Sequence, residues 1–394
     1  MITSRRDLLR ALTATGASAL IDPGPILAQL AAEQPCGSGD PGVLVGTLPL
    51  TRADGIDQPF GVKFGGPGLD ARLITDLSRL EADRAITPNP LAFVRTECPP
   101  AVAAHRRRWI IKTSGLAARA GTISLDEITG DARPFGPHLF ECSGNSNPAN
   151  FGLMSVAEWE GVPLADVVSR LQPSRRATAV LVGGVDHDDQ RSAYSIPGAS
   201  WVFPLESLDR LGAFLAVRMN GEPLPLDHGS PVRLAVPGWY GCTWIKWVNE
   251  IRLVGSDEPA TSQMKEFAGR THQSARHDLA RDYTPADIQT AAMPVRVEKR
   301  RHPSGLEYRI VGIVWGGTKP VQRLEIRFGA PDPWIPFSIC PAPRTHVMWS
   351  LWEYRWKPRS PGTYAITLRV PDPSVPQRRL DMGYYTREVR VDDV

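Results

Sequence analysis

No pair among the five cysteines of this 394-residue chain forms C-x-x-C, and no C-x-x-C-H occurs. The first absence gives no support to a zinc ribbon or a thioredoxin-like redox pair, and the second means that no covalent haem is carried. No apolar run is long enough to serve as a stable bilayer anchor. Charge is nearly balanced, at net +3, and no Lys/Arg run is interleaved with aromatics. Binding to nucleic acid therefore has no support. No internal repeat is visible, so a solenoid is not indicated.

Proline (37) and glycine (35) are abundant, which favours a turn-rich, strand-rich structure over a helical bundle. The length allows two packed domains. At the N-terminus, Ser4-Arg5-Arg6-Asp7-Leu8-Leu9 precedes a weakly apolar stretch from Ala11 to Ile21, with Pro23 and Pro25 after it. This reads as a twin-arginine export signal over 1–32, cleaved between Ala28 and Ala32. The competing reading is an amphipathic helix with two incidental arginines. Export by this route implies a periplasmic or otherwise exported protein, folded before transport and often loaded with a cofactor. The odd cysteine count then leaves at least one free or metal-bound thiol.

From about Asp40 to residue 255 short strands alternate with short helices. Arg108–Lys112, Ala179–Val182, Phe214–Val217, Val232–Val236 and Ile251–Val254 read as strands. Ser124 opens one helix and Leu164–Leu171 forms another. Residues 256–292 turn polar and read as an inter-domain connection. Over 293–394 strand follows strand: Val295–Glu298, Tyr308–Val314, Leu324–Phe328, Trp349–Trp356, Tyr364–Val370 and Arg387–Val391. This predicts an all-β immunoglobulin-like sandwich, a module suited to association as a homodimer.

Chemistry concentrates in Phe140-Glu141-Cys142-Ser143-Gly144-Asn145-Ser146-Asn147-Pro148-Ala149-Asn150. A cysteine in such a Gly/Asn/Pro loop is most often buried and inert. A nucleophilic cysteine needs a histidine beside it, and His138 and His228 exist without being aligned to it in sequence. The third option is a thiolate bound to a soft or high-valent metal.

Cys142-Ser143-Gly144-Asn145, followed by Gly152-Leu153-Met154-Ser155-Val156-Ala157-Glu158-Trp159, resembles the sulfite oxidase family of molybdenum enzymes. Three further segments agree, in the family's order. They run Ile86–Arg95, Met219–Arg233 and Pro237–Trp247. The loop Cys142-Ser143-Gly144-Asn145-Ser146 also resembles the bacterial sulfite oxidase-like and sulfane dehydrogenase branch.

The resemblance implies an α+β molybdopterin-binding domain over 40–255, ahead of the sandwich. It implies a molybdenum–molybdopterin cofactor with Cys142 as its protein thiolate. Phe93, Val94, Arg95, Asp186, His228, Arg233, Trp244, Ile245 and Lys246 would hold the pterin and its phosphate, and Arg95 would also serve catalysis. The implied reaction is oxygen-atom transfer to a small sulfur-containing or related substrate. Electrons would pass to a separate carrier, a c-type cytochrome. The alternatives are a genuine sulfite or sulfane dehydrogenase, an oxide reductase, or an exported binding protein that keeps the fold without metal.

The chain also departs from the family. Asn147 and Ser350 stand where sulfite-oxidising members have arginines, Phe267 where they have a tyrosine, and Glu97 where a histidine is usual. Losing two charge-assisted contacts removes roughly 3–6 kcal/mol of anion binding. Sulfite is therefore expected to be a poor substrate, with Arg344 and His346 as candidates to compensate. An apolar or extended substrate is expected to suit a site flanked by Phe267, Trp349 and Trp239.

Overall fold

The structure is a computed structural model. It describes residues 40–51, 63–64, 67–81, 84–146, 152–187, 190, 192, 196–375 and 385–394. The proposed export segment lies outside these residues, as do Asn147, Asp188 and Asp189.

Two five-stranded sheets and a small three-stranded one surround the larger of two apolar cores. One runs, in spatial order, Ala199–Pro204, Ala179–Gly184, Val248–Val254, Ile110–Gly115 and Gly121–Ser124. The second runs Glu222–Pro223, Phe214–Met219, Met154–Pro163 and Arg133–Glu141, with Arg233–Ala235 also paired to Phe214–Met219. The helix expected at Ser124 spans Leu125–Gly130. Ser124 Oγ accepts from Glu127 N, and Glu127 Oε2 accepts from Ser124 N, so two otherwise orphan donors are satisfied.

Arg133–Glu141 is a nine-residue strand, longer than the short apolar run read from sequence. Pro134, Gly136 and Pro137 hide it, because proline removes a ladder donor; the strand lies at the edge of its sheet, where that is tolerated. A register shift between Pro134 and Gly136 accommodates them.

Two further sheets enclose the second core. Val43–Leu48, Ala291–His302, Gly305–Trp315 and Ser350–Trp356 form one. Ile335–Ser338, Arg323–Arg327, Gly362–Arg369, Arg387–Val391 and Leu50–Thr51 form the other. Strand Gly305–Trp315 is buried on both sides. Tyr308, Ile310 and Val314 face the second core, while Val311, Ile313 and Trp315 face the first. Period-two alternation lets one strand serve both cores.

Two boundaries differ from the reading in sequence. Val43–Leu48 and Leu50–Thr51 lie within the span assigned to the first domain, yet they pair with Ala291–His302 and Arg387–Val391. Long-range strand pairing, which sequence order does not reveal, decides this. Residues 256–292 are more than a polar connection. Ala260, Met264, Ala280, Ala286 and Ile288 are buried in the first core. The apolar residues there are small and widely spaced, so the charges between them dominate the sequence pattern.

Candidate active site

Cys142 follows directly on strand Arg133–Glu141 and is 7% exposed. Its N–H donates to Leu153 O at 2.9 Å, which ties it to the next strand. The turn Ser143–Ser146 brings Gly144 N within 3.4 Å of Cys142 Sγ, a donor suited to a thiolate. Asn145 fastens the turn. Its Oδ1 accepts from Gly152 N and Leu153 N, each at 2.9 Å, and its Nδ2 donates to Glu141 Oε1 at 2.9 Å. Asn145 is thus a positioning residue, and it is fully buried.

Cys142 opens into a cavity of about 980 Å³, counting the open mouth. Phe93, Arg95, Asp186, His228, Arg233, Trp244, Ile245 and Lys246 all line it. Of the residues assigned to the site, Val94 alone is not among the lining; it is buried in the short strand Val94–Arg95, paired with Leu73. Its part is to place Arg95.

The first segment enters beneath Phe140. Phe93 N donates to Ser155 Oγ at 2.9 Å, and the Phe93 and Phe140 rings lie 4.8 Å apart. Arg95 Nη1 donates to Leu69 O at 2.8 Å. The next residue, Thr96, has φ +71°, an outlier for a β-branched side chain. Its carbonyl accepts from Lys246 Nζ at 2.8 Å, which helps to hold the strained turn.

Deeper in the cavity, Arg233 is buried among aromatics, with its guanidinium carbon 5.4–5.7 Å from the Phe140, Trp159 and Trp244 rings. Its Nη atoms donate to His228 O and Trp244 O, but its Nε has no partner. Lys246 Nζ donates only to carbonyls, those of Arg95, Thr96 and Asp227. Neither cation has a carboxylate partner within salt-bridge range among the described residues. Burial lowers the Arg233 pKa to about 9. Burial and then the Arg233 charge lower Lys246 to about 7, and burial followed by both cations lowers His228 to about 3.

A buried cation cluster of this kind needs an anion to offset its desolvation. Arg95 is depressed by burial, with the Cys142 charge acting in the opposite direction and Arg270 depressing it further. Asp186 Oδ2 accepts from Gly198 N across the cavity rim.

The donor set fits a metal–pterin. Among the described residues no three His, Cys, Asp or Glu side chains gather to hold a metal ion. A metal at Cys142 therefore brings most of its ligands with it, as a pterin dithiolene does. A terminal phosphate would answer the cations at Arg233 and Lys246, with the neutral His228 beside them.

Residues 98–262 match the model for the oxidoreductase molybdopterin binding domain. The chain is 27% identical over 298 residues to mitochondrial sulfite oxidase of Macaca fascicularis, which is 70% of this chain and 53% of that protein. With sulfite oxidase of Gallus gallus the identity is 27% over 303 residues, 70% of this chain and 64% of the other. With nitrate reductase [NAD(P)H] of Hordeum vulgare it is 32% over 195 residues, 44% and 21% respectively. The fold matches the sulfane dehydrogenase SoxCD from Paracoccus pantotrophus with a TM-score of 0.60 and 16% identity, over 92% of this chain and 86% of that one. The chain carries an oxidoreductase molybdopterin-binding domain and is similar to sulfite oxidases over about 70% of its length. It spans about half the length of the mammalian relatives it matches.

Sequence reasoning missed two cavity-lining residues, Cys242 and Arg270, and a buried arginine beside Arg95. Arg72, paired in register with Arg95, is buried and donates through Nη1 to Leu69 O and Ala71 O, each at 2.8 Å. Cys242 lines the cavity as a second buried thiol, pushed up by desolvation first and then by Cys142. Arg270 lines the mouth. A two-arginine ladder at 72 and 95 is a tertiary register and leaves no local signal.

Conversely, several expected residues do not line the cavity. Arg344 is exposed. Trp349 is buried in the first core, with its Nε1 donating to Ala85 O at 2.9 Å. Ser350 pairs with Val314 inside a sheet, and Trp239 packs on Phe203. Of the three expected aromatic flanks, Phe267 alone lines the cavity.

Proposed function

We propose that this chain uses a molybdenum–molybdopterin cofactor to transfer an oxygen atom to a small sulfur-containing or related substrate. The carrying observation is one cavity lined by both the Cys142 thiol and two buried cations, Arg233 and Lys246, that have no carboxylate partner among the described residues. When bound, the cofactor supplies two-electron oxygen-atom transfer. The protein's own part is placement. Asn145 and Leu153 hold the Cys142 backbone, so the thiolate is presented at a fixed depth. Arg233, Lys246 and the neutral His228 receive the phosphate end. Trp159, Phe140 and Trp244 exclude water around Arg233, which strengthens its charge. Arg95 sits beside Cys142, where a substrate would approach.

Electrons would leave to a separate carrier, a c-type cytochrome. The disulfide at Cys340 supports the exported, periplasmic assignment, because disulfides persist in oxidising compartments. The two-sheet C-terminal unit is read as an immunoglobulin-like module that pairs two copies. The likeness to nitrate reductase favours oxide reduction as a second reading.

Metal analysis of the purified protein, with pterin fluorescence after denaturation, tests the proposal. Near one molybdenum per chain is expected. Active protein with neither molybdenum nor tungsten would sink it. Substrate-dependent cytochrome reduction, set against oxidation of a reduced dye, separates the two directions.

A further inference from the structure

We propose that Arg270 is the second cationic group of the substrate pocket, acting with Arg95 on a substrate that presents an oxyanion beside Cys142. The inference rests on the molybdopterin reading and adds a residue and a ligand chemistry to it.

Arg270 belongs to the turn Ala268–Thr271, which packs against the turn Ser143–Ser146 that carries the Cys142 loop. The turn is fixed locally. Thr271 Oγ1 donates to Phe267 O at 3.0 Å, and Gln273 N donates to Ala268 O at 3.0 Å. A Cβ built on Gly144 would lie 3.6 Å from Cys142 Sγ and 3.9 Å from Arg270 Nη1. The sulfur and the guanidinium thus lie on the same side of Gly144, each within van der Waals contact of one point. A side chain longer than alanine there would enter the space beside both.

The guanidinium is available. It rests over the Phe267 ring at 5.4 Å and makes no hydrogen bond or ion pair with the described residues. Glu266, four residues earlier, lines the same cavity without pairing with it. Arg95 and Arg72, by contrast, already donate to backbone carbonyls. A planar fork whose donors have no partner among the described residues suits bidentate capture of an oxyanion. The site is therefore cationic at its mouth, although Asn147 and Ser350 are neutral. Its charge comes from a residue with no counterpart in the arginine pattern read from sequence.

The test is calorimetric titration of inorganic sulfate into the holoprotein, with Arg270→Ala and Arg270→Lys beside the wild type. Molybdenum content is measured on every sample. Arg270→Ala should weaken sulfate binding about 10- to 100-fold, the range of one charge-assisted hydrogen-bonding group. Arg270→Lys should fall between the two, because it keeps the charge and loses the fork. With sulfite as substrate, KM should rise far more than kcat falls.

Unchanged sulfate affinity in metal-replete Arg270→Ala would overturn the proposal and leave the cofactor reading intact. Loss of molybdenum from that variant would also overturn it, since Arg270 would then serve the cofactor. Wild-type protein without molybdenum whose sulfate affinity still depended on Arg270 would retire the cofactor reading and keep the anion site.

Discussion

Trp315 Nε1 donates to Glu141 Oε2 at 2.9 Å, joining a strand that borders the second core to the residue that precedes Cys142. Glu141 is fully buried, and its other oxygen accepts from Asn145 Nδ2. Strand Gly305–Trp315 therefore reaches the base of the Cys142 loop.

Trp315→Phe keeps the ring and deletes this donor. Removing a hydrogen bond to a buried carboxylate costs about 2–3 kcal/mol. Denaturant titration should show a lower midpoint with little change in slope, and the purified variant should hold less molybdenum. Full stability with full metal content would show that Glu141 is held by its remaining partners.

Cys142→Ser keeps the size and replaces the soft ligand with a weak, protonated one. Purified Cys142→Ser should carry little molybdenum and lack substrate-dependent electron transfer, with an unaltered circular dichroism spectrum. Retention of the metal near one per chain would move the ligand elsewhere, with Cys242 the first candidate.

Lys246 gives a pH signature. Its folded pKa is lowered to about 7, so between that value and its ordinary 10.5 the unfolded chain binds the extra proton. Stability of the cofactor-free protein should therefore rise with pH across that window, by at most about 1.4 kcal/mol per pH unit from this group. Below about pH 7 the cost of burying the charge is fully present. In Lys246→Met the slope should flatten, and cofactor loading should fall as the phosphate loses a partner. Thermal melts at pH 7 and pH 9 on both proteins measure the difference; equal slopes would contradict it.

Arg5→Lys with Arg6→Lys should leave the protein in the cytoplasm, since export by this route depends on the arginine pair. Fractionation of cells expressing both forms checks it. Unchanged periplasmic delivery of the double variant would make the pair incidental.

The sequence by itself determined many of the strands, the molybdopterin class and most of the cavity lining. Gly305–Trp315 and Gly362–Arg369 were legible because period-two alternation is a local property. Cys142, Arg233 and Lys246 were legible because they stand in short segments that follow one another in a fixed order along the chain. Only the tertiary structure decided which charges gather at the cavity. Arg72 joins Arg95 through strand register, and Arg270 joins Cys142 through the packing of two turns far apart in the chain. Ser350 and Trp349 are withdrawn into a sheet and a core, and Arg344 lies exposed away from the cavity lining. Charge at a site is a sum over residues brought together by folding, and linear spacing carries no record of that sum.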